Sequence, residues 1–172
     1  MDDDCFLPHF KRKISRLCVD AHLSGEGNGL ECLRDGVDRP RLDGGHAWEG
    51  KRGDHITYTF ERPSTVTRIR LVADSDLNRD TLPEPERWMN RSMFHNRLMR
   101  LQPSHVPKTL LKAFRITATF ADGSSAVVAE EHANHQRLWR CSVHLTQCTT
   151  LTLETLETWG AETIRLFAFE AD

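Results

Sequence analysis

Phe114, Ile116, Ala118 and Phe120 alternate with Arg115, Thr117 and Thr119. Side chains on a strand project to opposite faces with period two, so this segment has one apolar and one polar face and reads as a half-buried strand. Ile56, Tyr58 and Phe60 repeat the pattern, as do Ile69, Leu71 and Ala73, then Trp139, Cys141 and Val143, then Leu151 and Leu153. TIRLFAFE (163–170) is apolar on both faces and suits a central strand. A weaker run covers 126–129, and 17–23 supplies an eighth. Arg62-Pro63-Ser64 and Ala121-Asp122-Gly123-Ser124 read as turns between runs. No amphipathic stretch exceeds two or three helical turns, and no internal repeat is visible. The expected fold class is all-β: an antiparallel jelly-roll β-sandwich of about eight strands with a long, partly helical insertion.

The insertion covers 74–111, too long for an ordinary connection. Within it, 84–101 suits a short helix: Pro83 and Pro85 fit its first turn, and Trp88, Met89, Met93 and Leu98 form an apolar stripe. Residues 1–16 read as an approach segment, 17–172 as the sandwich, and 25–54, rich in Gly, Asp and Arg, as rim loops. At 172 residues the chain suits one domain burying roughly 70% of its unfolded surface.

Composition narrows the function classes. Lysine and arginine number 23 against 25 acidic residues, a net charge of −2, which gives no electrostatic footprint for nucleic acid or an anionic membrane. No apolar run approaches the roughly 20 residues of a membrane span, and MDDDCFLPHFKRK has neither the charge order nor the apolar stretch of a signal peptide. These features leave the compartment unassigned. The five cysteines include no CxxC pair, which argues against a zinc ribbon. Cys141 and Cys148 can pair if they face each other across a hairpin; the missing secretion signal favours reduced, partly buried thiols. No G-x-S-x-G elbow, HExxH, phosphate-binding loop or GxGxxG fingerprint is present, so the chain is expected to be non-catalytic and to carry no FAD site.

The order Asp35-Gly36, Trp48, His55-Ile-Thr-Tyr-Thr-Phe60, Pro63 and Val66-Thr-Arg-Ile-Arg-Leu71, with the closing Leu153–Glu170 stretch, resembles the discoidin domain, also called the coagulation-factor type C or galactose-binding-like domain. A narrower likeness, in DSDLNRDTLP, VPKTLLKAFRI, NHQRL and LETWGA, resembles the C-terminal accessory domain of bacterial FAD-dependent oxidoreductases. The first resemblance implies a jelly roll with ligand loops at one end. It implies a carbohydrate-binding-like module accessory to an enzyme, with Trp48 and Trp159 as core plugs. It also implies a structural calcium near the D-G loop, for which Asp35, Asp38 and Glu170 stand in the matching places. The second implies the alternative: a docking domain packed against an oxidoreductase partner without binding sugar.

Sugar recognition needs an aromatic face for the C–H side of a ring and planar polar groups for the hydroxyls. Trp88, Arg97, Asn78, Arg79, His46 and Arg52 are the loop residues of those types singled out as ligand-binding candidates. Met89, Met93, Phe94, Leu98 and Met99, flanked by Arg87, Arg91, Arg97 and Arg100, suit either an interface for another domain or a lid over the sandwich. Asp74, Asp76, Asn78 and Asp80 have the alternate spacing of a calcium loop. Arg79 stands at the turn glycine and Pro85 at the twelfth position, which favours turn caps. His132 and His135 lack a third partner for a metal, and Arg52-Gly53-Asp54 reads as a turn rather than an adhesion motif.

Overall fold

The computed structural model describes residues 11–39, 46–75 and 106–172. Their elements are α1 (Arg16–Asp20), β1 (His22–Gly25), a 3-10 helix (Leu30–Arg34), β2 (Trp48–Gly50), β3 (His55–Ala73), β4 (Leu111–Phe120), β5 (Ser125–Glu131), β6 (Leu138–Thr158) and β7 (Ile164–Ala171). Every pairing between these strands is antiparallel. The expected all-β sandwich is therefore what the described residues form. The expected helix at 84–101 lies outside them.

Among the described residues seven strands stand where about eight were expected: β3 and β6 each absorb two of the alternating runs, and β2 is one that the alternation did not mark. The Arg62-Pro63-Ser64 turn is a bend inside β3, not a break. Its register against β6 slips between Thr59 and Ser64, again before Val66, and again before Arg68. Proline has no N–H to give a ladder, and a bulge is where a strand tolerates it. On the facing strand Gln147 takes a positive φ of 57°. This double bend lets one pair of strands serve two layers. The first layer runs β1, β3, β6, β4, β5 through Ile56–Tyr58 and Leu151–Leu153. The second runs β2, β7, β3, β6 through Ile69–Val72 and Leu138–Cys141.

The core fills the space between the layers. Tyr58 from the first layer donates its hydroxyl to the Phe169 carbonyl of the second at 2.8 Å, their rings 5.5 Å apart. Burial pushes the Tyr58 hydroxyl far above its usual range, so it remains a donor. Phe114 of β4 meets Trp139 of β6 edge-on at 5.1 Å. Ile56, Ile69, Leu71, Ile116, Leu151 and Leu153 are all buried, each contributing on the order of 1.5–3 kcal/mol.

Two local expectations change, and a third, reduced thiols at Cys141 and Cys148, holds. Residues 17–23 are not one strand: Ser15 accepts from Cys18 N through its side chain and closes a short helix before β1 begins at His22. The alternation there is interrupted because Val19 is 55% exposed while Cys18 is buried. Within 25–54, the rim region, lie the 3-10 helix and β2. Cys141 and Cys148 are both free thiols. They lie seven positions apart on one strand, β6, and so cannot face each other across a hairpin.

Trp48 is fully buried, its indole N–H donating to the Glu26 carbonyl at 2.9 Å, which agrees with the expected plug. Gly50 sits against the indole, and a Cβ added there would overlap the ring. We expect Gly50→Ala to cost about 1–3 kcal/mol by overpacking, read as a lower denaturation midpoint with an unchanged slope. Wild-type stability in Gly50→Ala would show that the indole is not confined.

Candidate functional site

The hairpin turn 121–124 and the bends of β3 and β6 gather at one end of the sandwich. At the other end β3 finishes and β4 starts, together with the turns at 51–54, 132–137 and 159–163. This second end is the loop end. Trp159 follows β6 there, half-buried, with its backbone N–H on the Leu110 carbonyl and its indole N–H on the Asn134 carbonyl at 2.7 Å. Asn134 is buried and holds the loop from the other side: its amide donates to the carbonyls of Leu111 and Gln136. His135, exposed, leans over Trp159 with ring centroids 4.6 Å apart. Its Nδ1 donates to the Ala133 carbonyl, which turns Nε2 into the acceptor of a neutral ring.

Lys112 completes this ledge. Its ammonium lies 5.3 Å from the Trp159 ring centroid and 2.9 Å from Glu157. That hydrogen bond holds the Glu157 carboxyl below its usual range. Arg52 stands exposed at the tip of the neighbouring turn, which is pinned by Gly53 N–H on the Thr155 carbonyl at 2.6 Å. An aromatic pair, a cation, a carboxylate and a free imidazole nitrogen thus share one end, the mixture a pyranose requires.

Of the six ligand-binding candidates, Trp88, Arg97, Asn78 and Arg79 lie outside the described residues, and Arg52 is at the loop end. His46 is elsewhere. It is buried, its Nε2 is 2.7 Å from an Asp35 oxygen, and its ring lies parallel to Phe167 at 6.5 Å. The cause is a bulge: β7 places Phe167 between Ala168 and Leu166 where β3 has no matching residue. The extra ring turns onto the outer face of the second layer and takes His46 as its cover.

Two of the three carboxylates expected to hold calcium, Asp38 and Glu170, meet on that outer face. Arg70 and Glu170 are register partners on it. Asp38, with a fully buried side chain, receives Arg70 through two nitrogens at 2.6 and 3.1 Å. Arg12 reaches Asp38 at 2.8 Å and also bonds Glu170; Arg70 lies 3.4 Å from the other Glu170 oxygen. Arg137 donates to the Asp38 carbonyl. Asp35 is committed to His46 and to the Val37 N–H at 2.9 Å. No group of three or more metal-ligating side chains exists among the described residues. The three do not converge as a ligand set, because guanidinium groups stand between Asp38 and Glu170.

Sequence reading missed Arg12, Arg70 and Arg137 as partners. A signal existed: a strand apolar on both faces that carries Glu170 must supply that carboxylate with a cation. Trp159 packs against the core as expected and His135 is exposed; their contact with each other had no signal in the sequence, since neither alternates with its neighbours in a way that marks a shared ledge.

No family model matches the chain. Similar solved structures include a family 32 carbohydrate-binding module from Streptococcus pneumoniae EndoD, with a TM-score of 0.63 at 14% identity over 92% of this chain and 99% of that one. A Streptococcus pneumoniae fucose binding module gives 0.60 at 9% identity over 94% and 97%. The family 32 module of Clostridium perfringens NanJ, in complex with galactose, gives 0.56 at 9% identity over 90% and 95%. The fold is that of the family 32 carbohydrate-binding modules. The described residues form the discoidin-like, galactose-binding-like type of sandwich that the sequence resembles. A curated tRNA (guanine-N(7)-)-methyltransferase from Synechococcus sp. (strain JA-3-3Ab) is 27% identical over 150 residues, 77% of this chain, and the match spans 62% of that protein's length.

Burial pushes the Glu170 carboxyl up, against the opposing pull of Arg70 and Arg12. A carboxyl raised in the folded state favours folding most when protonated. That contribution is complete below the ordinary value of 4.5 and is lost as pH rises through the folded value. Unfolding in urea should therefore show wild type losing ground to Glu170→Gln as pH rises from below 4.5. Asp38→Asn takes the main partner from the buried Arg70 guanidinium and one partner from the half-buried Arg12, and should cost about 3–5 kcal/mol at neutral pH, with Glu170→Gln costing less. Equal losses in the two variants would refute this ordering.

Proposed function

We propose that this chain is a non-catalytic carbohydrate-binding module whose ligand sits at the loop end, against Trp159 and His135. The observation that carries the reading is the Trp159–His135–Lys112 ledge: an indole locked by Asn134 and Leu110, with an exposed imidazole against it. The apolar face of a sugar ring packs on such rings, and Arg52, Glu157 and His135 Nε2 supply hydroxyl partners of both kinds. Support also comes from the fold neighbours. One is a family 32 module bound to GalNAc, another is in complex with galactose, and a third is a fucose binding module. Galactose, GalNAc and fucose are accordingly the first ligands to test here.

The accessory role belongs to the same proposal. The methyltransferase relative extends beyond its match with this chain, which is how a binding module attached to a larger protein would align. Docking against an oxidoreductase rests on sequence likeness alone. One of the four segments of that likeness, DSDLNRDTLP, falls mostly on residues outside those described.

Calorimetric titration with the three sugars tests the site. Trp159→Ala and His135→Ala should each weaken binding about tenfold, the equivalent of about 1.4 kcal/mol. His135 is exposed, so its variant reports on the ligand rather than on folding. A groove of about 580 Å³ lies at the opposite end, lined by Phe120, Asp122, His144 and Gln147 among others. Unchanged affinity in both ledge variants, with loss in His144→Ala, would move the site there and overturn this reading.

A further inference from the structure

Asp38 and Glu170 present two carboxylates to one buried point, and the charge that meets them is covalently part of the chain. We propose that Arg12 and Arg70 together replace the divalent cation that the fold family implies at this place, so that the clasp between the Asp35–Asp38 loop and the last strand is independent of calcium.

Charge and coordination both support the exchange. Two guanidinium groups carry a formal charge of +2 against −2 from Asp38 and Glu170, the balance one divalent ion would provide. A calcium ion also draws on backbone carbonyls and needs six to eight oxygens at about 2.3–2.6 Å. Here the Asp38 carbonyl accepts from Arg137 instead. Each oxygen of Asp38 and Glu170 already has a guanidinium nitrogen within 3.4 Å, and the third carboxylate, Asp35, is held by His46 and Val37. Planar guanidinium suits this task because its fork fits a carboxylate through two parallel bonds, as Arg70 does on Asp38.

The source of Arg12 extends the consequence. It belongs to the segment before α1, and its backbone N–H also bonds the Gly36 carbonyl at 2.9 Å. Gly36 has φ 82°, and a Cβ there would meet the Arg12 backbone. The D-G turn is thus shaped to receive a chain segment carrying its own counter-charge. In this protein the segment before the sandwich performs what a bound ion would perform.

Thermal melts of the wild-type protein in millimolar calcium and in chelator should coincide, and terbium luminescence should show no site that Asp38→Asn abolishes. A calcium-dependent rise in Tm that Asp38→Asn removes would overturn the proposal. The reciprocal experiment is Arg12→Gln with Arg70→Gln, in which the freed carboxylates should acquire a calcium-dependent rise of a few degrees. If the double variant does not fold, Arg12→Gln alone serves, since that side chain is 25% exposed. A folded variant indifferent to calcium would overturn the equivalence of the two guanidinium groups with an ion.

Discussion

The buried pairing of Arg70 with Asp38 is the contact on which the second layer's outer face depends. A guanidinium and a carboxylate, each nearly without solvent exposure, are tolerable because both Asp38 oxygens receive a guanidinium nitrogen of Arg70. Glu170, one strand over, shares Arg70, and Arg12 closes the arrangement from outside the sheet. The pair also fixes the loop: with Asp38 anchored, its carbonyl meets Arg137, and Arg137 lies over the same Phe167 ring that His46 covers. One electrostatic contact thereby aligns the D-G loop, the start of β6 and the last strand.

Division of labour follows from where the strands bend. β3 and β6 carry the structural burden at the closed end, where bulges let both strands cross between layers and leave little room for variable loops. The opposite end is free of that constraint. The turns at 51–54, 132–137 and 159–163 meet there on short hydrogen bonds between sequentially distant segments, such as Trp159 to Asn134 and Gly53 to Thr155. Rigid strands beneath and adjustable turns above are the usual physical basis of a binding face. Trp159 illustrates the arrangement: its backbone belongs to the sandwich while its ring belongs to the loops.

Much of this was legible in the chain itself. Period-two alternation marks which residues of β3, β4 and β6 face the core, because strand geometry leaves side chains no other choice. The position of Tyr58 follows from it, whereas that of Trp48 was implied by the family resemblance. Less legible was how many strands there are, since a turn proline inside a bulge and a turn proline between strands look alike in sequence. His46 shows the same limit. A histidine in a Gly-rich loop suggests a ligand contact, but a bulge in a distant strand supplied Phe167 beneath it.

The sequence by itself determined the class of fold and the alternating core, both of which rest on local geometry repeated over a few residues. Only the tertiary structure decided which charges meet. Arg12, Asp38, Arg70, Arg137 and Glu170 span most of the chain, and no local rule relates them. Whether a carboxylate binds an ion or a guanidinium depends on what the fold packs against it in low dielectric, where an unmatched charge is prohibitive and the nearest cation settles the outcome.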